Sequence, residues 1–378
     1  MNILHVIPGD LWAGAEAHVF YTLKELRRIS NAKLAAVLFN KGELYRKLSG
    51  LGLETHVIAE AEFNSRQISL RLKRLLTRYR PEIIHAHEYK SHILATLAKH
   101  LAGLDSRVIR TIHGLREKHV NRKRLKLFVV LQLERFLLKH TTDYIIAVSR
   151  EIETLLHSSY PGSRIIQINN GIEFPLAVAK SPREVRREFG ISEETFWIGT
   201  AARLVPVKNM DMLIEAARIL RGKGDGMNIK ISIFGEGRLK GDLQERIRRY
   251  GLESMVVLHG HCDDILPVLN ALDVFALTSR HEGIPMSLLE AMALGTIPIC
   301  THVGGMKEVI RDTECGFTVE ADKAGELAEK ILFLSTCNGE KEIIRRNAAN
   351  RVKEHYSATE TARALLSLYK PEERYEAR

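Results

Sequence analysis

Short apolar runs recur along this chain, and most end at a polar residue or a glycine before a stretch with helical spacing. Residues 2–7 (NILHVI) form the first run and stop at Pro8-Gly9. A run of this length between breakers reads as a buried strand. Further strands are predicted at 33–39, 54–58, 83–84, 108–111, 144–148 and 164–168. Between them, residues 17–28 carry Val19, Leu23 and Leu26 at helical spacing. Residues 68–79 place Ile68, Leu72, Leu75, Leu76 and Tyr79 on one helical face, which Pro81 terminates. Residues 172–192 break the pattern with Pro175 and Pro182, leaving a short helix at 183–189. Strands then return at 197–201, 230–234, 255–258, 274–277, 297–300 and 317–319, with helices at 210–220 and 358–369. Strands alternating with helices predict parallel, doubly wound α/β sheets. The expected organisation is two Rossmann-like domains facing a cleft. An N-terminal domain covers 1–175, a linker 176–192 and a C-terminal domain 193–357. The helix within 358–378 is expected to pack back towards the N-terminal domain.

Composition narrows the class without naming it. The 378 residues suggest roughly two domains at about 150 residues each. A net charge of +10 implies an acidic partner, and nucleic acid, anionic lipid and nucleotide phosphates all qualify. Solubility alone would also account for it. The four cysteines, Cys262, Cys300, Cys315 and Cys337, show no close pair, which argues against zinc and for a reducing, cytoplasmic compartment. The start of the chain lacks a basic segment followed by a long apolar core, so no signal peptide is expected. No run of 18 apolar residues occurs, so membrane contact is expected to be peripheral.

Polar residues gather just after the predicted strands: His87, His113, Ser149 and Asn170. Ligands of doubly wound sheets bind outside the carboxyl ends of the strands. The richest stretch is 278–305, TSRHEGIPMSLLEAMALGTIPICTHVGG. Glu282 stands before a helix that Pro285 opens, and Glu290 lies one to two turns inside it. The free N–H groups of such a helix start attract phosphate. Acids beside them suit a ligand whose hydroxyls lie near its phosphates, such as a nucleotide sugar. The same acids could equally complement the helix dipole or lie on a solvated face. Arg203 and Lys208 follow the first strand of the second domain, where both cations can converge on one anion. Alone they could form a solvated basic loop. Gly14 opens the helix after the first strand and permits close backbone approach to phosphate. No G-x-G-x-x-G follows that strand, and Gly235-Glu236-Gly237 lacks the third glycine, which disfavours an oxidoreductase. His85 and His87 form H-x-H with His92 nearby, a pattern that metal sites also use. His259-Gly260-His261-Cys262-Asp263-Asp264 also carries ligand-type residues but reads as a loop, and no D-x-D motif lies in a suitable loop, so no metal is expected.

Taken in order, these motifs resemble the family-four group of retaining glycosyltransferases with the GT-B fold. The resemblance covers nearly the whole chain and is strongest over HEGIPMSLLEAMALGTIPI. It implies that Glu282 contacts donor-sugar hydroxyls near the reacting carbon and that Glu290 binds the ribose. It implies that Arg203 and Lys208 neutralise the diphosphate, helped by the backbone around Ile284, Pro285 and Met286, with Gly14 approaching from the first loop. His113 resembles the histidine near donor sugar and acceptor; His87, Ser149 and Asn170 would line the cleft. The implied substrate is a nucleotide sugar, used without cofactor or metal, and the implied acceptor is a glycan or a lipid-linked molecule. Two positions depart from the family pattern. Ala13 stands where a first-loop glycine is common, and Ala202 where glycine is frequent. Neither removes a charged group.

Basic charge clusters in the first domain. Residues 66–80 hold six basic residues and no acid, and residues 107–139 hold ten against Glu117 and Glu134. The second stretch is also apolar. It could rest on an anionic bilayer, or form a core helix with a solvated basic face. The clusters lack interleaved aromatics, so nucleic-acid binding is not expected. The rival readings are a nucleotide-sugar epimerase or hydrolase of the same fold and, from another class, a basic nucleic-acid-binding protein.

Overall fold

A computed structural model describes residues 1–9, 12–114, 125–223, 228–337 and 339–370. The chain divides into two compact units. The first holds Met1–Glu173 and the chain from Ser357 onward; the second holds Phe174–Tyr356.

The first unit is built on seven strands: β1 (Asn2–Ile7), β2 (Lys33–Leu38), β3 (Glu54–Val57), β4 (Ile83–Ala86), β5 (Arg107–Ile112), β6 (Tyr144–Ala147) and β7 (Ile165–Gln167). Their order is β3-β2-β1-β4-β5-β6-β7, and every pairing is parallel. The helices are α1 (Gly14–Ile29), α2 (Glu43–Gly50), α3 (Ser65–Tyr79), α4 (Tyr89–Ala102), α5 (Leu125–His140) and α6 (Arg150–Ser159). The central strands read as unbroken apolar runs because both faces are covered: Ile3, Leu4, Val6 and Ile7 are all fully buried. One core joins β1 and β2 to α1 through Ile3, Ile7, Leu23, Leu26 and Leu38. The other face packs Leu4, Val6 and Ile84 against Leu72 and Leu76 of α3 and Leu94 and Ala98 of α4.

The second unit repeats the plan. Its strands are β8 (Phe196–Ala201), β9 (Ile229–Phe234), β10 (Val256–Gly260), β11 (Val274–Leu277), β12 (Ile297–Thr301) and β13 (Phe317–Val319), in the order β10-β9-β8-β11-β12-β13. Its helices are α7 (Pro182–Glu188), α8 (Met210–Arg221), α9 (Lys240–Arg249), α10 (Leu266–Ala271), α11 (Met286–Ala293), α12 (Met306–Val309), α13 (Ala324–Thr336) and α14 (Lys341–His355). The final helix, α15 (Ala358–Tyr369), packs on α1 in the first unit and buries Ala362, Leu365 and Tyr369 there.

Residues 176–192, expected as a linker, belong to the second unit. α7 packs on α10, Val185 is buried, and the Arg186 guanidinium reaches the Ala271 carbonyl at 3.0 Å and Asp273 at 3.3 Å. The Ser181–Glu184 capping box starts this helix. The prolines mark its entry, not a free tether.

In both sheets the strand order reverses beside the first strand: between β1 and β4, and between β8 and β11. Successive connections leave such a point in opposite directions and open a crevice at the carboxyl ends of the strands. The candidate residues of each unit gather at these ends.

Candidate active site

In the second unit, loop 202–209 leaves β8 and loop 278–285 leaves β11, so the two loops flank the switch point. They are tied by backbone and side chain. The Arg280 N–H donates to the Val207 carbonyl at 2.8 Å. The Thr278 hydroxyl donates to the Lys208 and Asn209 carbonyls at 3.1 and 3.0 Å. Asp322 accepts from Arg280 at 2.7 Å and from Asn209 at 3.0 Å. On this frame the Lys208 ammonium forms an ion pair with Glu282 Oε1, and the Ser279 hydroxyl donates to the same oxygen at 2.7 Å. Both charged side chains are largely buried, 17% and 13% exposed.

Two glycines form the floor beneath Glu282. Gly304 has φ +56°, and a Cβ there would lie 1.9 Å from the Glu282 carbonyl oxygen. A Cβ at Gly305 would lie 2.5 Å from the Gly283 carbonyl. Neither contact is sterically possible for another residue without moving the loop.

α11 begins beside this pair. Its first intrahelical bond is Leu289 N–H to the Pro285 carbonyl, 3.3 Å. The N–H groups of Met286, Ser287 and Leu288 therefore have no partner within the helix. Pro285, expected among the diphosphate-binding residues, has no N–H to give; it is the N-cap, with φ −68°. Ile284 and Met286 turn their side chains into the core, so only their backbone can meet a ligand. Glu290 is buried one turn into α11. Arg203 is exposed at the start of the β8 loop and makes no side-chain hydrogen bond or ion pair with the described residues. Lys208, expected to converge with Arg203 on one anion, pairs with Glu282 in this structure. Ser279 carried no sequence signal. Its importance comes from lying three residues before Glu282 on a loop bent back on itself.

In the first unit, Gly14 is the first residue of α1 and follows β1. His87 follows β4, at the switch point; His113 follows β5. Ser149 caps α6, its hydroxyl accepting the Ile152 N–H at 3.4 Å. Asn170 is buried after β7. His87 and His113 belong to a larger group that sequence reading did not assemble. His5 Nδ1 lies 3.0 Å from His87 Nε2, and His87 Nδ1 lies 3.2 Å from His113 Nε2. His85 Nδ1 lies 2.5 Å from the Tyr369 hydroxyl and its Nε2 lies 2.6 Å from Thr111 Oγ1. His18 sets its ring 5.1 Å from that of His113. The signal was His5 in the first strand and His85 in β4, each directly after two aliphatic residues and register partners of one another. His92 stands apart and pairs with Thr142 at 2.9 Å.

Burial holds this group neutral. Loss of hydration lowers His5 to about 3 and His18 to about 4, and drives His85, His87 and His113 well below the ordinary value. His92 falls to about 3 for the same reason. His5, His85 and His87 each bring a ring nitrogen within 4.8 Å of the others, a spacing that could hold a metal ion. Each of these rings also has a nitrogen engaged with a neighbouring ring or hydroxyl, and the set contains no carboxylate to balance a cation.

Two parallel sheets with the 3-2-1-4 core order, each with its polar residues at the carboxyl ends of the strands, define the class as GT-B. A family profile described as glycosyl transferases group 1 matches residues 182–375, and one described as glycosyltransferase family 4 matches residues 12–174. The chain belongs to these glycosyltransferases. It is 28% identical to the Escherichia coli UDP-Gal:alpha-D-GlcNAc-diphosphoundecaprenol alpha-1,3-galactosyltransferase, over 79% of this chain and 77% of that one. It is 27% identical to the Staphylococcus aureus capsular polysaccharide biosynthesis glycosyltransferase CapM, over 82% of both. The crystal structure of Anabaena Alr3699/HepE in complex with UDP-glucose superimposes with a TM-score of 0.84 at 20% identity, covering 97% of this chain and 99% of that one.

The neutral histidines make stability depend on pH. The unfolded chain protonates them near the ordinary value of 6.5, while the folded chain keeps His5 and His18 neutral down to about 3 and 4. Below 6.5 the unfolded state therefore binds more protons. The stabilisation is complete above 6.5 and is lost as pH falls through the folded values, at about 1.4 kcal/mol per pH unit for each such histidine. The chain has two tryptophans, Trp12 in the first unit and Trp197 in the second. The urea midpoint reported by Trp12 in a Trp197→Phe variant is expected to fall steeply between pH 7 and pH 5. A flat profile would contradict neutral burial.

Proposed function

We propose that the protein is a retaining glycosyltransferase that moves a hexose or hexose derivative from a nucleoside-diphosphate sugar to a glycan or lipid-linked acceptor in surface polysaccharide or glycolipid synthesis. The observation that carries the proposal is the Lys208–Glu282 pair at the switch point of the second sheet, beside the open N–H groups of α11. A cation, a carboxylate and a helix start on one small frame match a ligand in which sugar hydroxyls adjoin a diphosphate. The donors of the related E. coli galactosyltransferase and of the Anabaena structure support a nucleotide sugar of this kind.

In this reading the bond between the anomeric carbon and the departing phosphate oxygen breaks, and its electron pair leaves with the nucleoside diphosphate. Arg203, Lys208 and the backbone N–H groups of Met286 and Ser287 stabilise that charge, as preorganised donors do at developing anions. As Lys208 turns to phosphate, Glu282 is released to accept from sugar hydroxyls. Glu290 holds the ribose, and His113 is the first unit's contribution to transfer. The acceptor oxygen bonds the anomeric carbon, and its proton passes to the leaving phosphate. No resident metal takes part.

The acceptor's setting is proposed to be an anionic membrane surface. α5 exposes Phe128, Val129, Leu133 and Phe136 beside Arg135 and Lys139, and α3 exposes Arg66, Arg71, Arg74 and Arg78. An apolar stripe edged with cations suits an interfacial helix. Residues 115–124, which hold the rest of the basic stretch, lie outside the described residues. No described helix is long and apolar enough to cross a membrane.

Release of nucleoside diphosphate, screened over donor sugars with and without acceptors, tests the function. Glu282→Ala is expected to lower acceptor-dependent transfer by about a thousandfold with the fold intact, the scale of losing a transition-state contact. Near-normal transfer by a folded variant would remove Glu282 from the site, and acceptor-independent turnover would favour the hydrolase. EDTA is expected to leave transfer unchanged; loss restored by manganese would refute the metal-free reading. In vesicle flotation the chain is expected to rise with phosphatidylglycerol vesicles and not with neutral ones, and Phe128→Ser/Phe136→Ser is expected to abolish this. Equal flotation with both vesicle types would count against an anionic surface.

A further inference from the structure

We infer that Tyr369, at the end of α15, is a positioning residue: through His5 and His87 its hydroxyl commits His113 to the Nε2–H tautomer and leaves His113 Nδ1 as a hydrogen-bond acceptor for a substrate hydroxyl. The inference rests on the proposed role of His113 in transfer.

Each neutral imidazole has one N–H and one lone pair, and a hydroxyl has one proton to give. Tyr369 is fully buried, with its hydroxyl 2.5 Å from His85 Nδ1 and 3.5 Å from His5 Nε2. His5 continues to His87 at 3.0 Å, and His87 to His113 at 3.2 Å. Every link between rings needs a proton on one nitrogen and none on the other. The rings from His5 to His113 therefore share one direction, and the single Tyr369 proton selects it. Where Tyr369 gives that proton to His85, whose Nδ1 lies nearer than His5 Nε2, His85 Nε2–H donates to Thr111 Oγ1 at 2.6 Å. The tyrosine oxygen is left to accept from His5 Nε2–H. His5 Nδ1 accepts from His87 Nε2–H, and His87 Nδ1 accepts from His113 Nε2–H. His113 Nδ1 ends the series as a lone pair.

The far end agrees. His113 Nδ1 is buried and has no hydrogen-bond partner among the described residues. The reverse direction would leave an N–H there, and orphaned buried donors are rarer than under-used acceptors. A ligand hydroxyl is the group that would complete this acceptor. The near end is held in place as well. The Arg107 guanidinium donates to the Leu368 and Lys370 carbonyls at 3.2 and 3.3 Å and also to the Tyr369 carbonyl, clamping the last turn of α15. The last helix of the chain thus reaches the candidate histidine through two intervening rings.

The test uses the full chain labelled with 15N-histidine, with the His113 signals assigned by their loss in His113→Gln. Wild-type His113 is expected to show a pyrrole-type Nε2 and an imine-type Nδ1, and Tyr369→Phe is expected to give a mixture of the two tautomers. A protonated Nδ1 in the wild type, or an unchanged spectrum in the variant, overturns the inference. The wild-type spectrum can overturn the inference even if the variant does not fold. Tyr369→Phe is also expected to lower kcat about ten- to a hundredfold with KM for the donor unchanged, as misplacing an orienting partner does. Unchanged kcat in a folded variant overturns the functional half. Stoichiometric cobalt absorption that vanishes in His85→Gln would overturn the proton series in favour of a metal. Full transfer by His113→Gln would instead refute the proposed role of His113, leaving the tautomer result to stand separately.

Discussion

The second unit depends on one ion pair between residues 74 positions apart, Lys208 and Glu282. Each lies on a loop that leaves a central strand, and neither loop has a sheet partner of its own. A largely buried pair gains only if its geometry is held and the spare lone pairs are used. The frame meets both conditions. Ser279 takes up a lone pair of the shared Glu282 oxygen, and Thr278, Arg280 and Asp322 lock the two loops together. Gly304 and Gly305 let the Glu282 backbone settle against the next loop. Removing either charge alone would leave the other without its partner, at a cost that the exposure of the pair, 17% and 13%, keeps below that of a fully buried one. The pair therefore keeps an otherwise expensive carboxylate and ammonium neutralised beside a helix start.

What sequence could reveal follows from this geometry. Buried parallel strands are apolar along their whole length, so β1, β8, β11 and β12 stood out as runs. α9 did not, because only Leu243 and Ile247 reach the core from an otherwise charged helix. α4 blurred for the opposite reason: Ile93, Leu94, Ala95 and Ala98 are buried while Leu97 and Leu101 are exposed, so no face is clean. Residues 176–192 resembled a tether because proline signals a break, whereas Val185 and Arg186 anchor through partners some 85 positions away. The chemistry was legible as residue types after strands. Its pairing was not: nothing local to Lys208 or Glu282 announces the other, and nothing local to Tyr369 announces His85, 284 positions earlier.

The first unit solves a different problem at its switch point. Among the described residues five imidazoles meet there without an acid among the hydrogen-bonded rings, and the fold stabilises them by removing protons, not by adding counter-charge. Rings at 4.3–5.4 Å with interplanar angles of 16–40° pack like aromatics while passing hydrogen bonds along their edges. This suits a strand-end position, where alternate residues of neighbouring strands lie side by side: His5 and His85 are register partners across β1 and β4. A carboxylate in that place would have charged one ring and fixed it. Leaving it out keeps every ring neutral and makes direction, not charge, the property that the network transmits.

That choice fits the exterior. The chain carries a net +10, and α3 alone exposes four arginines in the same unit. Protonating the interior rings would add positive charge to a body that already repels itself. Desolvation and the surrounding cations therefore act in the same sense: Arg110 lowers His85, His92 and His113 further, and the rings lower one another. A basic surface is compatible with a histidine-rich interior only if that interior stays uncharged. Full burial of His5 and His85 and near-full burial of His18 and His87 provide this condition. A basic surface outside and proton-counted hydrogen bonds inside can then coexist in one small unit.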